Sequence, residues 1–177
     1  MLGKIVVHAP ACRRERRRKD SRMKKICLIG AFDTKGPEYA FVRECILARG
    51  HEVLTVNTAV LGSSDLFPID VEAENVAEAG GANLEQLREK KDRGEAMKVM
   101  CAGAPAVVKS LHDEGRIDGI IGMGGTGGTT VVTSAMRALP IGVPKVCVST
   151  LPADSPVCCA RKAFGNPLTS TSSINVS

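Results

Sequence analysis

The sequence has no tryptophan, a single tyrosine and only three histidines, His8, His51 and His112. None of these histidines adjoins the glycine-rich stretch described below, so the sequence offers no histidine-centred catalytic constellation. Its seven cysteines (12, 27, 45, 101, 147, 158 and 159) form no CxxC pair and no metal-type spacing. Cys158 and Cys159 are adjacent, an arrangement that strains a disulfide. Cys27 and Cys147 sit inside apolar strand-like runs, where a small buried thiol is expected. This usage predicts a reducing, cytoplasmic setting and no bound metal. No apolar stretch approaches a membrane-spanning length, and no apolar segment with a small-residue cleavage site stands near the N-terminus, so no membrane partner is expected.

Charge of one sign is also missing from most of the chain. The formal net charge is +5, but eight of the 24 Lys/Arg and two of the 19 Asp/Glu lie in residues 1–22. Sixteen basic and seventeen acidic residues remain, which gives no electrostatic reason to expect nucleic-acid binding. Residues 1–22 read as a basic, disordered leader and residues 151–177, with three prolines and a closing Ser/Thr run, as an irregular tail. Between them, residues 23–150 are long enough to bury one core.

What is abundant is glycine, alanine, valine and isoleucine, a mix that suits helices lying close on a sheet. KICLIG (Lys25–Gly30) and EVLTVN (Glu52–Asn57) read as buried strands, as do Ile117–Ile121 and Pro144–Ser149. A helix is expected from Pro37, with Tyr39, Val42, Ile46 and Leu47 at three-to-four spacing, stopped by Gly50. Residues 61–84 read as an irregular connector containing a short helix over Val71–Ala79. Glu85–Gly115 reads as one helix with Met97, Met100, Val107, Val108 and Leu111 on its apolar stripe, and Thr129–Leu139 as another, ended by Pro140. Strand–helix alternation predicts an α/β fold: a parallel sheet of at least four strands, Rossmann-like or flavodoxin-like, in three layers. Its ligand site should lie beyond the carboxyl ends of the strands.

Two stretches stand at such ends. The first, GMGGTGGTT (Gly122–Thr130), holds five glycines and three threonines. It satisfies GxGxxG, but no acid follows before Asp154 to bind a ribose, which argues against NAD. It nearly satisfies the P-loop pattern, but Gly128 occupies the lysine position, which argues against P-loop hydrolysis. What survives is an anion cradle. Gly124, Gly125, Gly127 and Gly128 would bring N–H groups close to a phosphate, and Thr126, Thr129 and Thr130 would add hydroxyls. The second stretch, AFDTKGPE (Ala31–Glu38), would place Asp33, Thr34 and Lys35 in a loop beside it. Asp33 suits a sugar hydroxyl or Mg²⁺, and Lys35 suits a phosphate.

These two stretches, with KICLIGAFDTKGPEYAFVRECI, VLGSSDLFPIDVEAENVAEAGG and GIIGMGGTGGTTVVTSAMRALPIGVPKVCVST around them, resemble the Tm-one-like ATP-binding domain family over about Met23 to Thr150. The resemblance implies an α/β nucleotide-binding domain, ATP as ligand and a tendency to form homodimers, with Gly124–Thr129 and Asp33–Lys35 lining the site. A plant member of that family inhibits tobamovirus RNA replication. Members continue past the CVST strand into a second large domain, whereas this chain continues as LPADSPVCCARKAFGNP, so an incomplete, truncated domain is expected. The sequence thus predicts an ATP-binding domain of unassigned reaction. The alternatives are a protein–protein interaction module using residues 61–84, with Phe67 and Pro68 exposed or docking, and a non-functional truncated product.

Overall fold

The computed structural model describes residues 23–150; the basic leader and the tail proposed above lie outside that range, as do Cys12, Cys158 and Cys159. The described chain runs β1 (Lys25–Gly30), α1 (Phe32–Leu47), β2 (Glu52–Asn57), α2 (Ala73–Ala79), α3 (Leu84–Lys90), α4 (Arg93–Asp113), β3 (Gly119–Gly124), α5 (Thr126–Ala138) and β4 (Lys145–Ser149). The strands form one parallel sheet in the order β2-β1-β3-β4, so the predicted α/β architecture is the one observed.

β1 is central because every residue from Cys27 to Ile29 is apolar and finds cover on both faces, as parallel sheets require. On one face, Cys27, Ile29, Leu54, Val56 and Ile120 pack against α2, α3, α4 and α5 through Val76, Leu87, Met100, Val108 and Val132. On the other, Leu28 is covered by Phe32 and Tyr39 of α1 and by Phe67. Each such fully buried side chain contributes about 1.5–3 kcal/mol relative to its exposed state. The methionines of α4 are core fillers as expected, with Met100 buried and Met97 packed against the core.

Several expected boundaries move, each for a local reason. The expected helix Glu85–Gly115 is two helices. Lys91 turns left-handed at φ 52°, and Asp92 then restarts the chain by accepting from the N–H groups of Gly94 and Glu95. In the connector, Val71 bridges to Val56 of β2, so α2 begins only at Ala73. Phe67 is not exposed: it is buried edge-on against Phe32, with ring centroids 5.1 Å apart. α1 begins at Phe32 rather than Pro37. Pro37 has no N–H to give Asp33, and the helix kinks at Lys35 (φ −129°, ψ 28°). Lastly, β3 extends to Gly124 and α5 starts at Thr126, so only Gly125 of the nine-residue glycine stretch lies between strand and helix. Among the described residues, no helix is long and apolar enough to cross a membrane.

Candidate functional site

β1 and β3 are adjacent, with Ile29 opposite Gly122, yet the helices that follow them go to opposite faces of the sheet. This is a topological switch point, where a parallel sheet opens a crevice beyond its carboxyl ends. A single residue separates each strand from its helix: Ala31 before α1 and Gly125 before α5. The first turns of the two helices therefore rise from neighbouring strand ends. The α1 turn carries Asp33, Thr34 and Lys35, and the α5 turn carries Thr126, Gly127, Gly128 and Thr129. Among the described residues no hydrogen bond or ion pair joins the two groups. Lys35 instead lies 3.8 Å from Glu38, and the Ala59–Phe67 connector leans on the α1 turn, with Gly62 near Asp33.

The five glycines divide by what a side chain would meet. A Cβ at Gly122 would lie 2.6 Å from Val132 and 2.7 Å from the Ile29 carbonyl, so this glycine lets α5 lie on β3. One at Gly124 would lie 2.7–2.8 Å from the backbone of Gly128 and Thr129, so this glycine permits the turn into α5. Gly125, Gly127 and Gly128 differ. Their Cβ positions meet nothing nearer than Thr150 Oγ1 at 3.7 Å, the flexible Met97 at 3.3 Å and the Met123 carbonyl at 3.6 Å, respectively. None of the three has a positive φ. Backbone conformation explains none of them, and packing explains only Gly127 in part, since Met97 would have to shift by a few tenths of an ångström for a side chain there.

α5 has no side-chain cap and no acid in its first turn. Its first intrahelical bond runs from Thr129 N–H to the Gly125 carbonyl at 2.9 Å, which leaves the N–H groups of Thr126, Gly127 and Gly128 without a helical acceptor. Most of the expected hydroxyl donors are spent inside the protein. Thr129 Oγ1 donates to the Gly124 carbonyl (3.1 Å) and lies 2.8 Å from Ser149 Oγ, and Thr130 donates to Thr126 O at 2.8 Å. Thr126 remains exposed at the helix start.

Two structural residues of this site were not singled out from the sequence. Asn57, buried at the end of β2, accepts from Phe32 N–H (3.4 Å) and Ala59 N–H (3.0 Å). It donates to the Gly62 carbonyl (3.2 Å) and the Glu72 carboxylate (3.4 Å). It thereby ties the α1 turn to the connector; an asparagine closing an apolar strand was the available signal. Tyr39 was expected only as part of an apolar stripe, but its hydroxyl reaches the ends of both β1 and β3. Burial raises its pKa, so the phenol stays neutral. Burial, with Asp70 adding to it, pushes the Cys27 thiol up to about 12, which leaves it inert as a nucleophile.

The other end of the sheet carries an open concavity of about 290 Å³ lined by Lys24, Lys25, Glu52, Arg116 and Asp118. Its charges pair with one another, Lys25 with Glu52 at 2.7 Å and Lys24 with Asp118 at 3.1 Å, and it lies at the amino ends of the strands, opposite the switch point.

Residues 24–156 match the N-terminal domain of UPF0261, an uncharacterised protein family. The chain belongs to the UPF0261 family. A UPF0261 protein of Clostridium tetani is 47% identical over 128 residues, which is 72% of this chain and 31% of the relative. One from Mesorhizobium japonicum is 39% identical over 129 residues, 73% of this chain and 31% of that protein. A more distant relative, the ToMV resistance protein Tm-1(GCR237) of Solanum lycopersicum, is 30% identical over 141 residues, 72% of this chain and 19% of its own length. The chain thus matches less than a third of the length of these curated relatives.

Proposed function

We propose that this UPF0261 domain binds ATP at the switch point between β1 and β3, with the phosphate chain against the start of α5. The observation that carries this reading is the uncapped α5 terminus. Three N–H groups have no acceptor among the described residues, and Gly125 and Gly128 have no packing reason to be glycine. Glycines there let an anion approach the backbone, and the helix terminus adds partial positive charge. Lys35 and Asp33 of the facing turn supply a cation and, for Mg²⁺, a carboxylate oxygen. The described cysteines 27, 45, 101 and 147 are all unbridged, which supports a cytoplasmic setting. No reaction is assigned to the site.

Calorimetry of the full chain with MgATP tests this. Saturable one-site binding is expected, weakened at least tenfold by Gly125→Val. Absence of heat at millimolar nucleotide, or a Gly125→Val protein that binds like the wild type, would sink the reading.

A second reading, an interaction module, draws on Leu61 and Leu66, which stand exposed on the connector on either side of the Asn57-anchored turn. It predicts a bound partner that survives Gly125→Val and is lost on combined Leu61→Ser and Leu66→Ser substitution, in a pull-down on intact protein.

A further inference from the structure

β3 stays paired with β4 as far as Gly124 opposite Ser149, but its register with β1 stops earlier, at Gly122 opposite Ile29. The sheet therefore parts between β1 and β3 just where the helices diverge. At that parting sits one side-chain atom, the hydroxyl oxygen of the fully buried Tyr39. It accepts from Met123 N–H at 2.8 Å and lies 2.8 Å from the Ile29 carbonyl and 2.7 Å from the Met123 carbonyl, to one of which its single proton is donated at a time. The last link between the two strands thus runs through a phenol.

Gly30, the last residue of β1, makes room for it. A Cβ there would stand 1.7 Å from the tyrosine oxygen and 2.3 Å from its ring carbon, far inside any tolerable contact. The ring is held in turn by Phe32 edge-on at 4.8 Å, and Phe32 opens α1. One side chain therefore connects the end of β1, the end of β3 and the turn that carries Asp33–Lys35.

We infer that Tyr39, seated by Gly30, is the positioning residue of the switch-point site: its hydroxyl wedges the ends of β1 and β3 apart and so sets the spacing between the α1 and α5 first turns. This rests on the nucleotide reading above for the identity of the ligand, but not for the wedge itself. Without the hydroxyl, Met123 N–H loses its acceptor and the Ile29 carbonyl its donor, and pairing these two draws the Met123–Thr126 segment towards β1.

The test is Tyr39→Phe in the full chain, compared with Phe67→Leu, which loosens the same aromatic cluster but leaves the hydroxyl in place. Both are expected to melt cooperatively. Tyr39→Phe should displace the backbone amide resonances of Met123 and Gly124, leave those of α4 unchanged, and weaken MgATP at least tenfold, whereas Phe67→Leu should bind as the wild type does. Equal binding by Tyr39→Phe and wild type, or equal weakening by both variants, would overturn the positioning role. If the wild type takes up no nucleotide, the ligand reading fails alone. The amide resonances then still decide the wedge, and unmoved Met123 and Gly124 signals would overturn it.

Discussion

The helices of this protein begin in two different ways. α3 and α4, away from the switch point, are closed by their own side chains: Asn83 accepts from Glu85 and Gln86 N–H, and Asp92 accepts from Gly94 and Glu95 N–H. α1 and α5, which rise from the ends of adjacent central strands, have no side-chain cap, their N-cap residues being Ala31 and Gly125. α2 lacks one too, but the carboxylate of its N-cap residue, Glu72, is engaged by Asn57. Capping contributes about 1 kcal/mol, and serine, aspartate or asparagine would fit the extended conformation of Gly125. At the starts of α3 and α4 the sequence supplies its own acceptor. At the start of α5 none is present among the described residues, and α1 has only the distant Asn57 Oδ1, 3.4 Å from Phe32 N–H; that difference marks the candidate site more sharply than the number of glycines does.

The largest test of this contrast is to cap α5. Gly125→Asp has room for its Cβ and gives the first-turn N–H groups an internal acceptor. Stability should rise by a few tenths of a kcal/mol in urea unfolding, while MgATP affinity falls about a hundredfold, some 2.7 kcal/mol, through blocked donors and like charge. Next, Gly124→Ala drives a Cβ into the backbone of Gly128 and Thr129 and should lower stability by about 2 kcal/mol, since backbone cannot step aside. Asn83→Ala should cost about 1 kcal/mol and leave nucleotide titrations untouched. A subtler result is expected of Gly128→Ala. Alanine in a first turn with room for its Cβ should gain roughly 0.5–1 kcal/mol of stability, yet weaken the nucleotide severalfold by standing off the anion. If Gly125→Asp and Gly128→Ala both bind normally, the distinction between the two kinds of helix start carries no functional meaning.

The smallest effect is a pH dependence at the start of α4, whose cap titrates where the Asn83 cap of α3 does not. The N–H groups of Glu95 and Gly94 hold the Asp92 carboxyl below its ordinary value. The unfolded chain therefore takes up this proton first. The contribution is complete above the ordinary carboxylate pKa and is lost as pH falls from there through the lowered one. Asp92→Asn, which keeps a capping oxygen, should flatten that acid limb in melts followed from pH 5 to pH 2. Capping α5 with Gly125→Ser adds no titrating group and should leave the limb unchanged.

The strands were legible because their signal is local: an apolar run such as ICLI, bounded by charge and glycine, has few other places to go. The break between α3 and α4 was obscured because LREKKDRGE is charged throughout and shows no change of apolar period, so Asp92 with Glu95 three residues on was the only mark. β3 ran three residues past its expected end because glycine weakens a strand signal even where neighbouring strands and a close-lying helix demand glycine. Of the candidate site, the two segments were legible and their chemistry only partly so. Thr129 and Thr130 offered hydroxyls by composition, but the structure has already committed them to Gly124 and Thr126.

The sequence by itself determined the α/β class, the four strands and the two strand-end segments, because hydrophobic periodicity and Pro/Gly punctuation act over a few residues. The tertiary structure alone decided which glycines serve packing and which stand free, and that the expected loop is a strand end joined to a helix start. It also decided that the single tyrosine bridges β1 and β3. Each of these depends on contacts between residues far apart in the chain, such as Gly30 with Tyr39, Tyr39 with Met123 and Gly122 with Ile29, whose distances no local pattern encodes.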